Sequence, residues 1–469
     1  MDYEVVVVGG GIGGLTTAAL LAARGLSVCL CERQARPGGC VANVELSGFA
    51  FEPTGGLYSG WESGGVYERI FAQLPVAAPK VDRLSPAYVV RLPDHTEVAV
   101  SESVGQFEED LRRALPECSE AAVAFYQKLE QINKSLYDDG SVERQPVQAL
   151  LTECCPRFQR FIDVQLQTFT QSASDVCPLH LAAQALTTPR RGMWSIQGGA
   201  QALADVLAES LKKSGGSLRL NAPVLRLAYG SDGLPVGVDL LSGERVTSTR
   251  AIVSNLTVWD TYGKLIGLSR TPASISSQLR QMKSWGAYLL FVSMDRSAAK
   301  RLTSNRILAL TDWQEGQSYS PEQTQFLFSA APPSDARAPE NKLAVTVSTF
   351  TNVDDWFAFH QDEAAHEDQD QTTLESLWAR LHTAMPELGD SVEVIETATP
   401  RTFYEDTRRK LGMVGRPASA LPKAGLEIEQ ARTVFPNVFL VSDTNASGLG
   451  LSGVSQSALD VANLVTNRA

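Results

Sequence analysis

The sequence predicts an α/β fold, a largely parallel sheet gathered from separated parts of the chain and carrying an α+β cap. Three observations predict it. An apolar run, a glycine-rich turn and a helical stretch occupy residues 5–25. A second apolar run ends on an acid, Glu32. A third, at 437–441, leads into an acid, another glycine-rich turn and another helical stretch.

Val5–Val8 is continuously apolar, as a parallel strand buried on both faces requires. Gly9, Gly11 and Gly14 stand in G-x-G-x-x-G spacing. The first permits a tight turn, the second a close backbone approach to a pyrophosphate, and the third close packing of helix on strand. The helix expected from about Gly13 to Ala23 points free N–H groups and the positive end of its dipole at the phosphates. Gly25 ends it, and Leu26–Cys31 forms the next strand. Glu32 then falls roughly 20 residues beyond the glycines, where a carboxylate accepts hydrogen bonds from an adenosine ribose. It would repel a 2′-phosphate, so the Rossmann-like unit is read as holding NAD or FAD.

"ERQARPGGC" follows, with Arg33 beside the acid and a second glycine pair, Gly38 and Gly39, that a plain NAD domain does not need. "FAFEPTGGLYSGW" sets Thr54, Gly55 and Gly56 in a further turn. With these motifs the chain resembles the FAD-dependent superfamily of amine oxidases, phytoene desaturases and carotenoid isomerases, whose members carry an E-x5-GG segment and then a short F-(D/E)-x-x-G turn. The resemblance implies a GR2-type FAD-binding domain with FAD held non-covalently. Gly9, Gly11, Gly13, Gly14, Glu32, Arg33, Gly38 and Gly39 would bind it, and Thr54, Gly55 and Gly56 would run past the isoalloxazine ring. It further implies that Val224 touches the adenine through its backbone. Asp443 would end the last strand beside the flavin, and a helix opening near Gly453 and Val454 would face its pyrimidine end. Stretches 337–356 and 398–417 look most like the carotenoid 3,4-desaturase branch. The chain departs from the pattern at Cys40, where many relatives have Arg, at Ser442, where many have Gly, and at "EPTGG", where a D-x-G form is usual. None of these changes removes a backbone donor.

The motifs divide the chain into an FAD-binding domain of 1–60, 193–260 and 396–469 and a substrate cap of 61–192 and 261–395. "WGAYLLFVSMD" from Trp285 and "KLAVTVSTF" from Lys342 read as cap strands. The stretch from Arg157 has apolar residues at 158, 161, 162, 166 and 169, a helical spacing. Such a face is core, the wall of a substrate tunnel, or a lip that dips into a membrane.

A net charge of −12 over 469 residues argues against nucleic-acid binding, which rests on clustered Lys and Arg. There is no secretory pattern and no run of about 18 apolar residues. The expectation is a cytoplasmic protein with, at most, peripheral membrane contact. Seven cysteines include Cys29 and Cys31 in a strand, and the adjacent Cys154 and Cys155 match no metal or disulfide spacing. Cys177 with His180, and His360 with His366, lack a third ligand, so no metal is expected.

The expected function is FAD-dependent desaturation of a long apolar isoprenoid, a carotenoid first among them, by hydride transfer to the flavin. No Ser/His/Asp set or His base is apparent, so no catalytic acid–base residue is assigned. Tyr58, Trp61, Trp194 and Tyr404 are candidates to border the reacting site. Carotenoid cis–trans isomerisation and amine oxidation fit the same scaffold, and a flavin-free prenyl-binding protein is the non-enzymatic alternative.

Overall fold

The structure, a computed structural model, describes residues 2–139, 143–311, 319–358, 362–415, 431–445 and 448–467. His360 lies outside them.

Strand β1 (Asp2–Val8) sits inside a seven-stranded sheet, and its Val5–Val8 run is buried. The other strands are β2 (Val28–Cys31), β3 (Ser217–Arg219), β4 (Val224–Tyr229), β5 (Pro235–Leu240), β6 (Arg245–Ser254) and β7 (Val438–Leu440). Their order is β4-β5-β6-β1-β2-β3, with β7 paired to the end of β6. The pairs β3–β2, β2–β1, β1–β6 and β6–β7 are all parallel, so these five strands end on one edge. One sheet is thus built from residues 2–31, 217–254 and 438–440.

Helix α1 (Ile12–Ala23) is buried almost all round because it lies between this sheet and two further helices. Leu15 and Ala19 share a core with Leu207 and Leu211 of the helix Ala200–Lys213 and Val461 and Ala462 of the helix Gly450–Thr466. The C-terminal helix therefore begins at Gly450, earlier than the expected start near Gly453. On the sheet's other face, Val6, Cys29 and Leu240 pack with Trp259, Tyr262 and Ile266.

A second seven-stranded sheet has the order Val392–Ala398, Gly286–Asp295, Lys342–Thr351, Gln325–Ala330, Arg306–Leu310, Tyr88–Arg91 and Glu97–Val100. One face packs on the helix Glu363–Ala384 through Leu377 and Leu381. The other faces α2 (Pro156–Thr170) and α3 (Leu179–Thr187), where Phe161, Leu166 and Leu186 share a core with Leu308, Leu310 and Leu327. Its edge strand, Val392–Ala398, crosses the boundary expected at 396 because it pairs with Gly286–Asp295. Val66, Tyr67, Ile70 and Val81, expected in the cap, instead pack with α1.

Two expectations are corrected here. Cys155 is joined to Cys118 in a disulfide between the N-cap of α2 and the turn before the helix Ser119–Asp139. A separation of 37 residues hides that proximity from the sequence. The apolar face from Phe158 to Phe169 is no membrane lip, since Phe158, Phe161, Ile162 and Leu166 are wholly buried. Phe161→Ser should therefore act as a core cavity and lower unfolding free energy by about 3–5 kcal/mol, read as a shifted urea midpoint. Phe169→Ser, at the end of that face, should cost much less.

Candidate cofactor and substrate site

The parallel strands deliver one residue each to a common edge: Gly9 after β1, Glu32 after β2, Asn255 after β6 and, three residues past its end, Asp443 after β7. All four line a cavity of about 1010 Å³.

The glycine loop fits tightly. A Cβ on Gly14 would overlap the Gly9 carbonyl oxygen, and one on Gly13 would fall 2.8 Å from the side chains of Asn255, Val441 and Val454. Asn255 Nδ2 donates to the Val441 carbonyl at 2.6 Å, and its backbone N–H to the Val8 carbonyl at 2.8 Å, tying three strand ends together. α1 has no side-chain N-cap and no acid in its first turn, which leaves the N–H groups beside Gly11 and Gly13 open to an anion.

Glu32 is tied to the backbone of two loops. Its Oε2 accepts from the Gly10 N–H at 2.6 Å and its Oε1 from the Gln34 N–H at 2.7 Å. The second glycine pair lies directly on this loop: the Gly38 N–H donates to the Gly10 carbonyl at 2.8 Å. Gly38 and Gly39 have φ of +125° and +61°, and a Cβ on Gly39 would come within 3.2 Å of Gly11 Cα. Val224 opens β4 and lines the cavity on the Glu32 side with Pro223 and Leu225. Arg33 also lines it, but its guanidinium donates to the Asp406 carbonyl, as the Gln34 amide does. Those bonds hold the end of the helix Pro400–Thr407 over the Glu32 side of the cavity.

Cys40 brings no charge to the cavity, and burial pushes its thiol up. Arg409, from a distant segment, lies close enough to Cys40 to act on its thiol electrostatically. It forms a two-pronged pair with Asp443, Nη1–Oδ1 at 3.2 Å and Nη2–Oδ2 at 2.8 Å. Burial alone would raise the Asp443 carboxyl. The Arg409 charge, the Ser442 hydroxyl at 3.0 Å and the Gly415 N–H at 3.2 Å outweigh it and hold the group below its usual range. Ser442 thus gains a role that glycine could not fill.

A second cavity of about 1300 Å³ adjoins the first, and both are lined by Cys40, Pro53, Leu289, Phe403, Asp443 and Val454. Thr54, Gly55 and Gly56 line only the second. Gly453 lines neither, being pressed on Gly448, where a Cβ would collide. Of the four aromatic candidates, Tyr58 lines the second cavity and the other three line neither. Trp61 stacks on Tyr67 at 4.1 Å, Trp194 pairs with Tyr58 through backbone bonds, and Tyr404 packs edge-on against Phe357.

A buried polar network supports the 52–56 turn. Glu52 accepts from the Tyr58 hydroxyl, from the Ala200 N–H at 2.8 Å and from Arg337 Nη1 at 3.3 Å. Arg337 also pairs with Asp335 at 2.9 Å. Arg306 donates to the carbonyls of Gly56, at 3.2 Å, and Ala330, and burial pulls its guanidinium down to about 10. Asn255, Arg306, Arg337 and Arg409 escaped the sequence reading. A lone Arg leading the apolar strand "RILAL" was the available signal for Arg306.

The family described as flavin containing amine oxidoreductase matches residues 12–466 of this chain. The chain belongs to that family. Its cofactor is FAD, and the loop that excludes side chains, the uncapped α1 and the Glu32 acceptor fit a dinucleotide. This flavin oxidoreductase is similar to prolycopene isomerase 1, chloroplastic, of an Oncidium hybrid cultivar, 25% identical over 99% of this chain and 84% of that protein. It is similar to a neurosporene-forming phytoene desaturase of Rhodobacter capsulatus, 24% identical over 56% of this chain and 54% of that protein. Among solved structures, an oxidoreductase from Methanosarcina mazei shares the fold with a TM-score of 0.71 at 15% identity, covering 99% of this chain and 100% of that one.

Glu32→Ala should weaken FAD about tenfold or more, since a hydrogen bond to a charged group is worth roughly 1.5–3 kcal/mol. Glu32→Gln should lose less, and a fluorescence titration of FAD into deflavinated protein ranks the two. Arg409→Met should change the pH response. The depressed Asp443 carboxyl contributes fully above its ordinary value of about 3.9, and that contribution fades only as pH falls through the lower folded value. Without Arg409, burial raises the carboxyl, so FAD release on acidification from about pH 7 to 4 should begin at a higher pH in the variant than in the wild type.

Proposed function

We propose that the protein uses FAD to desaturate a long apolar isoprenoid, of the carotenoid type. The observation that carries this is the second cavity. It meets the cofactor cavity along a shared lining that is mostly apolar, with Leu289, Phe403, Leu451 and Val454, and in which the one carboxylate, Asp443, is paired with Arg409. Bound FAD supplies a two-electron hydride acceptor. The apolar side chains of that lining keep the reacting carbon–carbon bond dry and in position. The C-terminal helix, which starts at Gly450 with no side-chain cap and no acid in its first turn, offers its positive end to charge gathering on that side. A cationic amine would need a carboxylate. Of the two that line the cavity among the described residues, Asp443 is engaged by Arg409 and Asp175 is exposed.

Cis–trans isomerisation of a polyene is the second reading. It is favoured by the prolycopene isomerase similarity, which spans 99% of the chain. Delivery of substrate from a membrane surface belongs to the same proposal. Val176, 47% exposed, lines the outer part of the cavity with Pro178 and Leu181, and no helix among the described residues is long and apolar enough to cross a membrane.

The test is expression in a host that accumulates an acyclic carotene, followed by chromatography and mass analysis of the pigments. The expected outcome is a product two hydrogens lighter that absorbs at longer wavelength. Geometric isomers of unchanged mass would favour the second reading. An unchanged pigment profile, with oxidation of a soluble amine by the purified protein, would overturn both.

A further inference from the structure

We infer that Gln171, on the wall of the second cavity, is a positioning residue for the cofactor: by gripping one peptide unit, Val414–Gly415, it aims that unit's N–H at the Asp443 carboxylate. That role is the same whatever fills the second cavity.

Gln171 follows the last turn of α2 in a left-handed conformation, φ +55°, uncommon for a residue with a side chain. Its N–H bonds to the Gln167 carbonyl at 3.0 Å, and its own carbonyl accepts from Trp285 Nε1 at 3.2 Å. With its backbone pinned on both sides, its side chain reaches Val414, in the segment after the helix Pro400–Thr407. The Val414 carbonyl can only accept, so the amide nitrogen is the atom that meets it, at 2.6 Å. The buried Ser284 hydroxyl lies 3.0 Å from the Gln171 amide oxygen and 2.9 Å from the same carbonyl. The Val414 N–H donates in turn to the Trp285 carbonyl at 2.9 Å.

The carbonyl of Val414 and the N–H of Gly415 belong to one planar unit and point in opposite directions. Holding the carbonyl therefore fixes the N–H on the other side, where it donates to Asp443 Oδ2 at 3.2 Å. The grip matters because of the residue that follows. Gly415 has φ +61°, and glycine takes either sign of φ, so this peptide would otherwise be free to turn over and offer its carbonyl to the carboxylate. A side chain at 415 could not do the work of the grip, since a Cβ there would fall 2.7 Å from Gln171 Nε2. The same segment meets Asp443 a second time through Arg409, whose Nε donates to the Met413 carbonyl at 2.7 Å while its two terminal nitrogens pair with the carboxylate. Asp443 lines both cavities and Gln171 only the second. The grip thus carries order from the second cavity to a charged group that faces the cofactor.

The experiment measures FAD dissociation constants by fluorescence titration of the deflavinated full chain, for the wild type, Gln171→Met, Asp443→Ala and the double variant. Gln171→Met keeps the bulk of the side chain and removes the donor. In the wild-type background it should weaken FAD about three- to tenfold, as partial loss of a hydrogen bond to a charged group implies. In the Asp443→Ala background the N–H has no carboxylate to meet, and the same substitution should change binding by about twofold or less. A residue that only packed would cost the same in both backgrounds. Equal losses in the two backgrounds, or no loss in the wild type, would overturn the inference. If Gln171→Met fails to fold, Ser284→Ala loosens the same carbonyl and takes its place in the cycle. If Asp443→Ala fails to fold, Asp443→Asn takes its place, and the loss should shrink rather than vanish.

Discussion

The structure depends on the parallel pairing of β1 with β6 and of β6 with β7. Val8 is matched to Ser254 and to Cys31, and Ser254 to Leu440. Because the strands run the same way, the residues that follow them emerge together, although they come from the start, the middle and the end of the chain. The register leaves no freedom: a one-residue slip would exchange the side chains that pack on the sheet's two faces and carry Gly9, Glu32 and Asn255 away from one another. Asn255 secures the arrangement by bonding to both flanking strand ends.

Around this edge, charge is managed in pairs. Arg409 holds the half-buried Asp443 ionised, and the buried Glu52 would be costly without Arg337. Each pair joins segments far apart in sequence, and each also shapes a wall of the site. Arg409 meets Asp443 where Cys40 also lines the wall. Glu52 sits at the start of the helix Ala200–Lys213, where the helix dipole favours an anion, and holds the turn that borders the second cavity.

The sequence disclosed what depends on neighbours along the chain. The first glycine loop, Glu32, the second glycine pair and the cap strands at 286 and 342 all carry local signals of spacing or apolar run. It did not disclose what depends on distant partners. Nothing near Asn255 or Arg409 marks them, since their importance comes from Val441 and Asp443. Trp61, Trp194 and Tyr404 have the composition of site residues, yet their rings are committed to packing or lie outside the cavities. The cap boundary near 396 was missed for a similar reason, because a strand belongs to the sheet whose edge it completes. The Cys118–Cys155 link was hidden because two helix starts meet only in three dimensions.

The Glu52 network also sets how a ligand can arrive. Arg337 and Asp335 belong to the cap, Glu52 to the turn beside the cofactor cavity, and all three are nearly without exposure. Swinging the cap away would part opposite charges inside the protein, so the two sheets behave as one rigid casing. For the long isoprenoid proposed above, such a casing would admit the chain only lengthwise and act as a ruler: the bond presented to the flavin would be chosen by its distance from the end that stops first.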